Sequence, residues 1–288
     1  MTQRYHTRLF AAACALLIAA GPLGACKTLE EADQRMKASL QKTDESMQST
    51  LDFAEGRVGP YDEYFYGVNW AAGAAGAGLY KPDHRFYDYL EKVGTTISLA
   101  SHYPHTYQGY RFAVLDSAAR NAVAVPAGFI FINRGLLGVV RSEDELAAVL
   151  AHEIAHHELR HNMLDVAAGK AFTVMDKLFD ENESRGQQSM VETMAIGYNE
   201  RHELEADRRA VELLALSGYQ PHALVRVLDR LKLAEGSLGG RGYPTGREVL
   251  ARQHIADLGL PHRTIPDVRN RRFAAAVAGF ADIEVARD

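Results

Sequence analysis

The chain has 288 residues, of which 47% are hydrophobic and 24% are charged, and its formal net charge is −5 at pH 7. This length is sufficient for one large domain or two small ones, each with an apolar core. Nucleic-acid-binding proteins carry a positively charged surface, whereas this chain has a slight excess of acidic residues, so we expect no nucleic acid among its partners.

Residues 1–25 have the pattern of a secretory signal peptide, with two early arginines and an apolar run at 9–20 that is too short to span a membrane. The next stretch, Leu-Gly-Ala-Cys at 23–26, resembles a bacterial lipobox, in which Cys26 becomes the lipidated first residue. Lys27 stands where an aspartate would retain such a protein in the inner membrane. The resemblance therefore implies an outer-membrane lipoprotein that faces the periplasm, and a plain signal peptide or an uncleaved anchor is the alternative.

The sequence contains only two cysteines, Cys14 inside the signal segment and Cys26 at the lipidation site. A mature chain would then have no disulfide and no thiol ligand, so a bound metal must be held by histidines and carboxylates. We divide the chain into a signal peptide at 1–25, a polar tether or helix at 26–55 and one domain at 56–288.

The first elements of this domain are a helix and a small sheet. Apolar residues recur on one face of 83–100, which predicts a helix. Residues 110–114 and 122–132 are apolar and almost uncharged, as buried strands are. Pro126 interrupts the second of these, and proline is confined to sheet edges and bulges because it donates no hydrogen bond to the ladder. An edge strand could bind an extended peptide through backbone hydrogen bonds, and an edge strand that binds nothing is the equal alternative.

A second helix is predicted to begin at Ser142, which precedes a glutamate by three residues as in a capping box. The pattern His-Glu-x-x-His then occurs twice, at 152–156 and at 157–161. Histidines four residues apart lie on one helix face, where both rings can bind one Zn²⁺ and the intervening glutamate can act as general base. We favour the first pattern because it follows a run that is apolar on nearly every side, which predicts burial. His157 and His161 are then surface or packing residues.

A catalytic zinc usually has three protein ligands and an open position, so His152 and His156 require a third donor. Residues 199–210 predict another helix, on which Glu203 and Asp207 share a face with apolar side chains. A carboxylate on a buried face needs a partner there, so Glu203 is the candidate ligand. Asp207, one turn later, is positioned to accept a ring N–H from a ligating histidine.

Other roles on and around this helix stay open. Glu200 shares the inner face and is the alternative ligand, whereas Glu205 is predicted to be solvated. The connecting residues 165–196 combine a short helical pattern with a polar stretch, and such a segment could cover a cleft as a lid.

The combination of His-Glu-x-x-His with a later Glu-x-x-x-Asp resembles the gluzincin metallopeptidase family that includes HtpX, BepA and the CAAX prenyl proteases. The resemblance covers about 61–260 and extends to several further matches, which are Asn121-Ala122, Pro126-x-Gly128, Arg134-Gly135-Leu136, residues 145–151, Arg160-His161 and Gly218-Tyr219-x-Pro221. It implies an α+β, predominantly helical, zincin-like fold with a small β-sheet and a buried active-site helix.

The resemblance also implies the site residues. One Zn²⁺ per chain would bind His152, His156 and Glu203, with Glu153 as general base and Asp207 behind a ligand histidine. A protein or peptide substrate would bind near three residues of the strand region, Asn121, Pro126 and Gly128.

Two departures from the family pattern affect this reading. The family usually has His-Pro after the third-ligand helix, whereas this chain has Tyr243-Pro244. Tyr243 could stabilise an oxyanion or simply pack, and an arginine such as Arg208 is the alternative oxyanion donor. We expect neither a helical repeat module after Pro244 nor the transmembrane hairpins of the prenyl proteases.

The resulting hypothesis is a zinc metalloendopeptidase of the bacterial envelope that acts on misfolded or unassembled envelope proteins. The alternatives are a zinc-stabilised, non-cleaving assembly or chaperone lipoprotein, and a zinc hydrolase of non-peptide esters. The sequence predicts membrane attachment through the N-terminal lipid and no particular oligomeric state.

Overall fold

The computed structural model describes residues 58–76, 78–80, 84–163, 200–236 and 246–278, together with Gln34 and Lys37. The chain divides into two units, and every element named below belongs to the second, Phe53–Asp288. Several predictions lie outside the described residues, namely the signal peptide, Cys26, most of the tether, the connecting segment 165–196 and Tyr243.

The described residues form a mainly helical structure with one small sheet, so the predicted α+β fold class is confirmed. The elements in chain order are α1 Pro60–Gly76, α2 His84–Ser98, β1 Arg111–Leu115, β2 Ala122–Val125, a 3₁₀ turn Pro126–Gly128, β3 Phe129–Asn133, α3 Arg134–Leu137, α4 Glu143–Glu158, α5 Glu200–Leu216, α6 His222–Gly236, α7 Arg247–Asp257 and α8 Asp267–Val277. None of the helices in the described part of the chain combines the length and the apolar character needed to cross a bilayer.

The three strands are arranged in the order β1–β3–β2, with β1 parallel and β2 antiparallel to β3. The segment predicted at 122–132 is therefore two strands, and Pro126 lies in the turn between them rather than inside a strand. Gly128 in this turn has a φ of 82°, and a Cβ there would come within 2.7 Å of the Thr106 side chain, so the turn requires glycine. The strand order places β2 at one edge of the sheet.

The core is built around α4, which packs against α2, α5 and α6 and under the sheet. α2 presents the predicted apolar face to it, with Phe86, Leu90, Val93 and Ile97 all buried. Along α4 itself every residue except His152 is buried, as the apolar run before the histidines predicts. The alanines on this helix are fully buried, and their small side chains allow neighbouring helices to approach closely.

The first turn of α4 carries three consecutive carboxylates, Glu143, Asp144 and Glu145, and all three are buried. The Ser142 hydroxyl accepts a hydrogen bond from the Glu145 N–H at 3.3 Å, as the capping box predicts. The Glu145 carboxylate in turn accepts from the backbone N–H of Arg141 at 2.8 Å, one residue earlier than in a standard box. Acidic side chains at this end also interact favourably with the helix dipole.

These buried carboxylates are neutralised by arginines from two helices that come much later in the chain. Arginines of α6 pair with Glu145, and arginines of α8 pair with Glu143 and Asp144. The four cations are Arg226, Arg230, Arg269 and Arg272. The ion pairs therefore hold α6 and α8 against the start of α4.

Replacing Asp144 by alanine tests this arrangement. The Asp144 carboxylate accepts from the Gln220 N–H at 2.8 Å and from Arg269 at 3.0 Å. Its removal leaves the Gln220 N–H without an acceptor and leaves Arg269 with only the more distant carboxylate of Glu143 at 3.9 Å, so we expect the free energy of unfolding to fall by about 3 kcal/mol in urea denaturation. The matched control is Glu91→Ala at an exposed position of α2, which should change it by no more than about 0.5 kcal/mol. Equal losses in the two variants would show that the buried ion pairs do not hold the helices together.

Candidate metal centre

The side-by-side packing of α4 and α5 brings together His152, His156 and Glu203. The Nε2 atom of His152 lies 3.0 Å from Nε2 of His156 and 3.5 Å from Oε2 of Glu203. The Nε2 atom of His156 lies 3.6 Å from Oε1 of Glu203. Within the described part of the chain, these are the only three His, Cys, Asp or Glu side chains whose donor atoms all lie within 4.8 Å of one another.

The spacing of these donor atoms fits a zinc ion. Donors placed about 2.0–2.1 Å from a tetrahedral zinc are separated from one another by about 3.4 Å. The three observed separations of 3.0, 3.5 and 3.6 Å lie on either side of that value. Two imidazoles and one carboxylate also form a donor set that zinc prefers, and the partial exposure of His152 gives access from solvent.

The carboxyl group of Glu153 is buried beside this donor group, between α4 and the edge strand β2. It accepts a hydrogen bond from the backbone N–H of Ala124, while its Oε2 atom has no hydrogen-bond partner among the described residues. A buried oxygen without a partner is costly and indicates a place for a ligand or a water. Burial raises the pKa of the Glu153 carboxyl to about 7, and a cation held by the neighbouring donors would lower it.

Asp207 lies behind His152, with Oδ1 placed 3.0 Å from the ring atom Nδ1. A proton on Nδ1 leaves the lone pair of Nε2 directed toward the other donors. Arg247 binds the same carboxylate through two bonds, Nε to Oδ2 at 2.7 Å and Nη2 to Oδ1 at 2.8 Å. Although burial acts to raise it, the charge and hydrogen bonds of Arg247 and the contact with His152 hold the pKa of Asp207 below its usual value.

Arg247 is the site residue that the sequence analysis missed. It is buried in the first turn of α7, and its Nη1 atom lies 2.7 Å from Oε2 of Glu203. Burial acts to raise the pKa of the Glu203 carboxyl, but the bond from His152 and the charges of His152 and Arg247 lower it. The sequence does indicate that a cation is needed, because two carboxylates on one buried helix face require a buried positive charge. Nothing in the sequence pattern identifies which arginine supplies it.

The alternatives on α5 lie away from the donor group. Glu200 is exposed at the start of the helix and is not part of the group. Arg208, the suggested oxyanion donor, is exposed on the outer side of α5, since it follows the inward-facing Asp207 by one residue and about 100° of rotation. This corrects the sequence-based suggestion, because the arginine that reaches the site is Arg247.

The second His-Glu-x-x-His pattern does not form another donor group within the described residues. His157 and His161 are both buried, so neither is a surface residue. His157 lies edge-on to the Tyr110 ring at 5.4 Å and has its Nδ1 atom 3.9 Å from a carboxylate oxygen of Glu63. His161 follows the end of α4, and its Nδ1 atom lies 3.0 Å from Nδ1 of His156.

The three residues expected near the substrate lie at the two ends of β2. The side-chain oxygen of Asn121 accepts from Nδ2 of Asn133 at 2.6 Å, which links the start of β2 to the end of β3. Pro126 and Gly128 are buried in the turn that connects the same two strands. Together these contacts position the edge strand, whose Ala124 N–H faces the buried carboxyl of α4.

Comparison with known proteins relates the chain to metallopeptidases. The sequence profile of Peptidase family M48 matches residues 87–276, which include every site residue described above. The mitochondrial metalloendopeptidase OMA1 of Schizosaccharomyces pombe is 31% identical over 130 residues, which are 44% of this chain and 39% of that protein. The beta-barrel assembly-enhancing protease of Escherichia coli is 26% identical over 197 residues, which are 64% of this chain and 38% of that protein. The chain thus spans less than half of the length of either relative.

Replacing Arg247 by leucine tests how the two carboxylates of α5 are stabilised. Glu203 and Asp207 would remain buried without their common cation, so the free energy of unfolding should fall by roughly 3–5 kcal/mol. The matched control is Arg252→Leu on the same helix, a largely exposed arginine whose ion pair among the described residues is with an exposed aspartate. That variant should lose at most about 1 kcal/mol. Similar losses in both variants, measured by urea denaturation, would contradict the assigned role of Arg247.

Proposed function

Because the chain belongs to peptidase family M48, we propose that it is a zinc-dependent endopeptidase of the bacterial cell envelope. The observation that carries this proposal is the donor group of His152, His156 and Glu203 beside the buried carboxyl of Glu153. Its substrates are peptide bonds in misfolded or unassembled envelope proteins. The lipobox-like residues that end at Cys26 support an outer-membrane lipoprotein facing the periplasm.

One zinc ion per chain would be held by His152, His156 and Glu203. When bound there, zinc would polarise the scissile carbonyl and lower the pKa of a water molecule. The donor separations and the choice of two imidazoles and one carboxylate support zinc over calcium or magnesium, which prefer oxygen ligands.

Glu153 takes the proton from the attacking water and passes it to the leaving amine. Its free Oε2 atom is the acceptor, while the N–H of Ala124 holds the carboxyl group in place. A cation on the neighbouring donors would lower the pKa of the Glu153 carboxyl and keep it ionised, which is the form that accepts a proton. Asp207 and Arg247 are positioning residues, since they orient the His152 ring and the Glu203 carboxylate rather than touch substrate.

An extended peptide would bind along the outer edge of β2. The Asn133 N–H donates to the carbonyl of Asn121 in the antiparallel pair, so the alternation of the ladder directs the backbone groups of Ala122 and Ala124 away from β3. The contact of the Ala124 N–H with Glu153 agrees with this direction. A peptide that adds to this edge by backbone hydrogen bonds would pass close to the general base. This placement favours peptides over lipid esters as substrates.

The substitution Glu153→Gln tests the proposed base. Casein cleavage should fall by on the order of 10²–10⁴-fold, because glutamine cannot accept the proton. Metal content should stay at the wild-type level, since Glu153 is not one of the three donors. The control Glu200→Gln changes an exposed carboxylate on α5 and should leave both quantities unchanged. Undiminished cleavage would reject the mechanism.

Removal of the metal tests the zinc assignment. Dialysis against a chelator should abolish cleavage and lower the thermal midpoint of unfolding, and readdition of Zn²⁺ should reverse both changes. Zinc at a hundredfold excess over its dissociation constant should stabilise the fold by about 2.7 kcal/mol. Elemental analysis should find one zinc per chain in the wild type and none in His156→Ala. A chelated protein that still cleaves casein would exclude a metal-dependent reaction.

A further inference from the structure

His156 has a second polar neighbour on the side away from the other two donors. Its Nδ1 atom lies 3.0 Å from Nδ1 of His161, and both rings are buried. The Nε2 atom of His161 lies 3.2 Å from Oε2 of Glu205, whose other oxygen accepts from Arg201 at 2.7 Å. A continuous line of hydrogen-bonding groups therefore leads from the donor group to the surface of α5.

Metal binding by His156 determines which ring nitrogen carries the proton in His156 and in His161. The Nε2 atom must be free of a proton in order to bind a metal, so the neutral ring carries its proton on Nδ1. Two ring nitrogens at 3.0 Å form a favourable contact when one donates and the other accepts, which makes Nδ1 of His161 the acceptor. Neutral His161 then carries its proton on Nε2, and this N–H donates to the Glu205 carboxylate.

The backbone and a neighbouring ring hold His161 in this position. In a continuous helix, a residue five positions after His156 would lie about 140° away around the axis. α4 ends at Glu158, and Arg160 adopts a left-handed conformation with φ of 57° before the chain becomes helical again. This change of chain direction places the His161 ring next to the His156 ring. The His202 ring of α5 stacks on His161 with centroids 4.1 Å apart and planes 5° from parallel.

We propose that His161 and Glu205 are positioning residues of the metal centre, which hold the His156 ring in the tautomer and orientation that metal binding requires. The proposal rests on the metal site of the proposed function and does not depend on which substrate is cleaved. Asp207 serves His152 directly, whereas the carboxylate of Glu205 serves His156 through a second imidazole. His161, the last histidine of the second His-Glu-x-x-His pattern, therefore orients His156, a metal ligand of the first pattern.

Four variants separate hydrogen bonding from packing. His161→Phe keeps a ring of similar size but removes the acceptor, while His161→Asn places an amide oxygen close to the position of Nδ1. Glu205→Leu removes the carboxylate, while Glu205→Gln keeps an oxygen that can accept from His161. Glu205 is partly exposed, so its variants test the proposal even if a change at buried His161 prevents folding. Glu200→Gln, an exposed carboxylate of the same helix, is the matched control.

The measurements are zinc affinity of the full-length chain, by competition with a chromophoric chelator, and the visible absorption spectrum of the Co²⁺-substituted protein. Loss of such an outer hydrogen bond typically weakens metal binding about 10–100-fold, so we expect this decrease in His161→Phe and Glu205→Leu, with an altered Co²⁺ spectrum. The conservative variants His161→Asn and Glu205→Gln should recover most of the affinity, and the control should match the wild type.

Two results would overturn the proposal. One is wild-type zinc affinity in both His161→Phe and Glu205→Leu. The other is an equal loss in His161→Asn and His161→Phe, which would assign His161 to packing alone. Casein cleavage by the same wild-type sample separates this proposal from the proposed function. A protein that shows the expected order of zinc affinities but cleaves no peptide would support the positioning role and reject the peptidase, whereas a wild type that binds no zinc would reject both.

Discussion

The burial of charged and polar groups along α4 is the constraint on which the rest of the structure depends. This helix has carboxylates in its first turn and histidines in its last turns, and all of its residues except His152 are buried. Each of these groups requires a partner, because an isolated buried charge costs several kcal/mol. Partners come from α5, α6 and α8, so these helices are ordered around α4 by electrostatics as well as by apolar contact.

The same constraint accounts for the composition of the metal centre. Two buried carboxylates, Glu203 and Asp207, pair with one buried guanidinium from Arg247. Burial acts to lower the pKa of the His152 imidazole, but the hydrogen bonds and charges of Asp207 and Glu203 raise it to about 10. The two carboxylates therefore require a second positive charge at His152, which a proton or a bound metal would supply.

The sheet contributes an edge strand that lies beside the candidate base. β2 lies at the edge, and the contact between its Ala124 N–H and Glu153 joins the strand to the candidate base. The turn at Pro126 and Gly128 and the bond between Asn121 and Asn133 hold that strand in register. Under the proposed function, an extended polypeptide would add to this edge by backbone hydrogen bonds, which depend little on its side chains. Such a site agrees with unfolded or unassembled proteins as the proposed substrates.

Periodicity within single segments was enough to predict the local features of this protein. Four-residue spacing predicted a common helix face for His152 and His156, and the capping pattern placed the start of α4 at Ser142. The inward face of α5 was predicted in the same way. The resemblance to a metallopeptidase family came from the motifs His-Glu-x-x-His and Glu-x-x-x-Asp, and the M48 match confirms it.

Apart from the approach of Glu203 and Asp207 to the histidines, the contacts between segments were decided by the tertiary structure alone. The pairing of Arg247 with two carboxylates of α5, and the line from His156 through His161 to Glu205, join residues that no helical or strand period relates. The exposed position of Arg208 is a further example, because the sequence does not distinguish an arginine that reaches the site from one that stays in solvent. Which of them neutralises a buried charge depends on how helices distant in the chain pack together, and that packing is a property of the whole core.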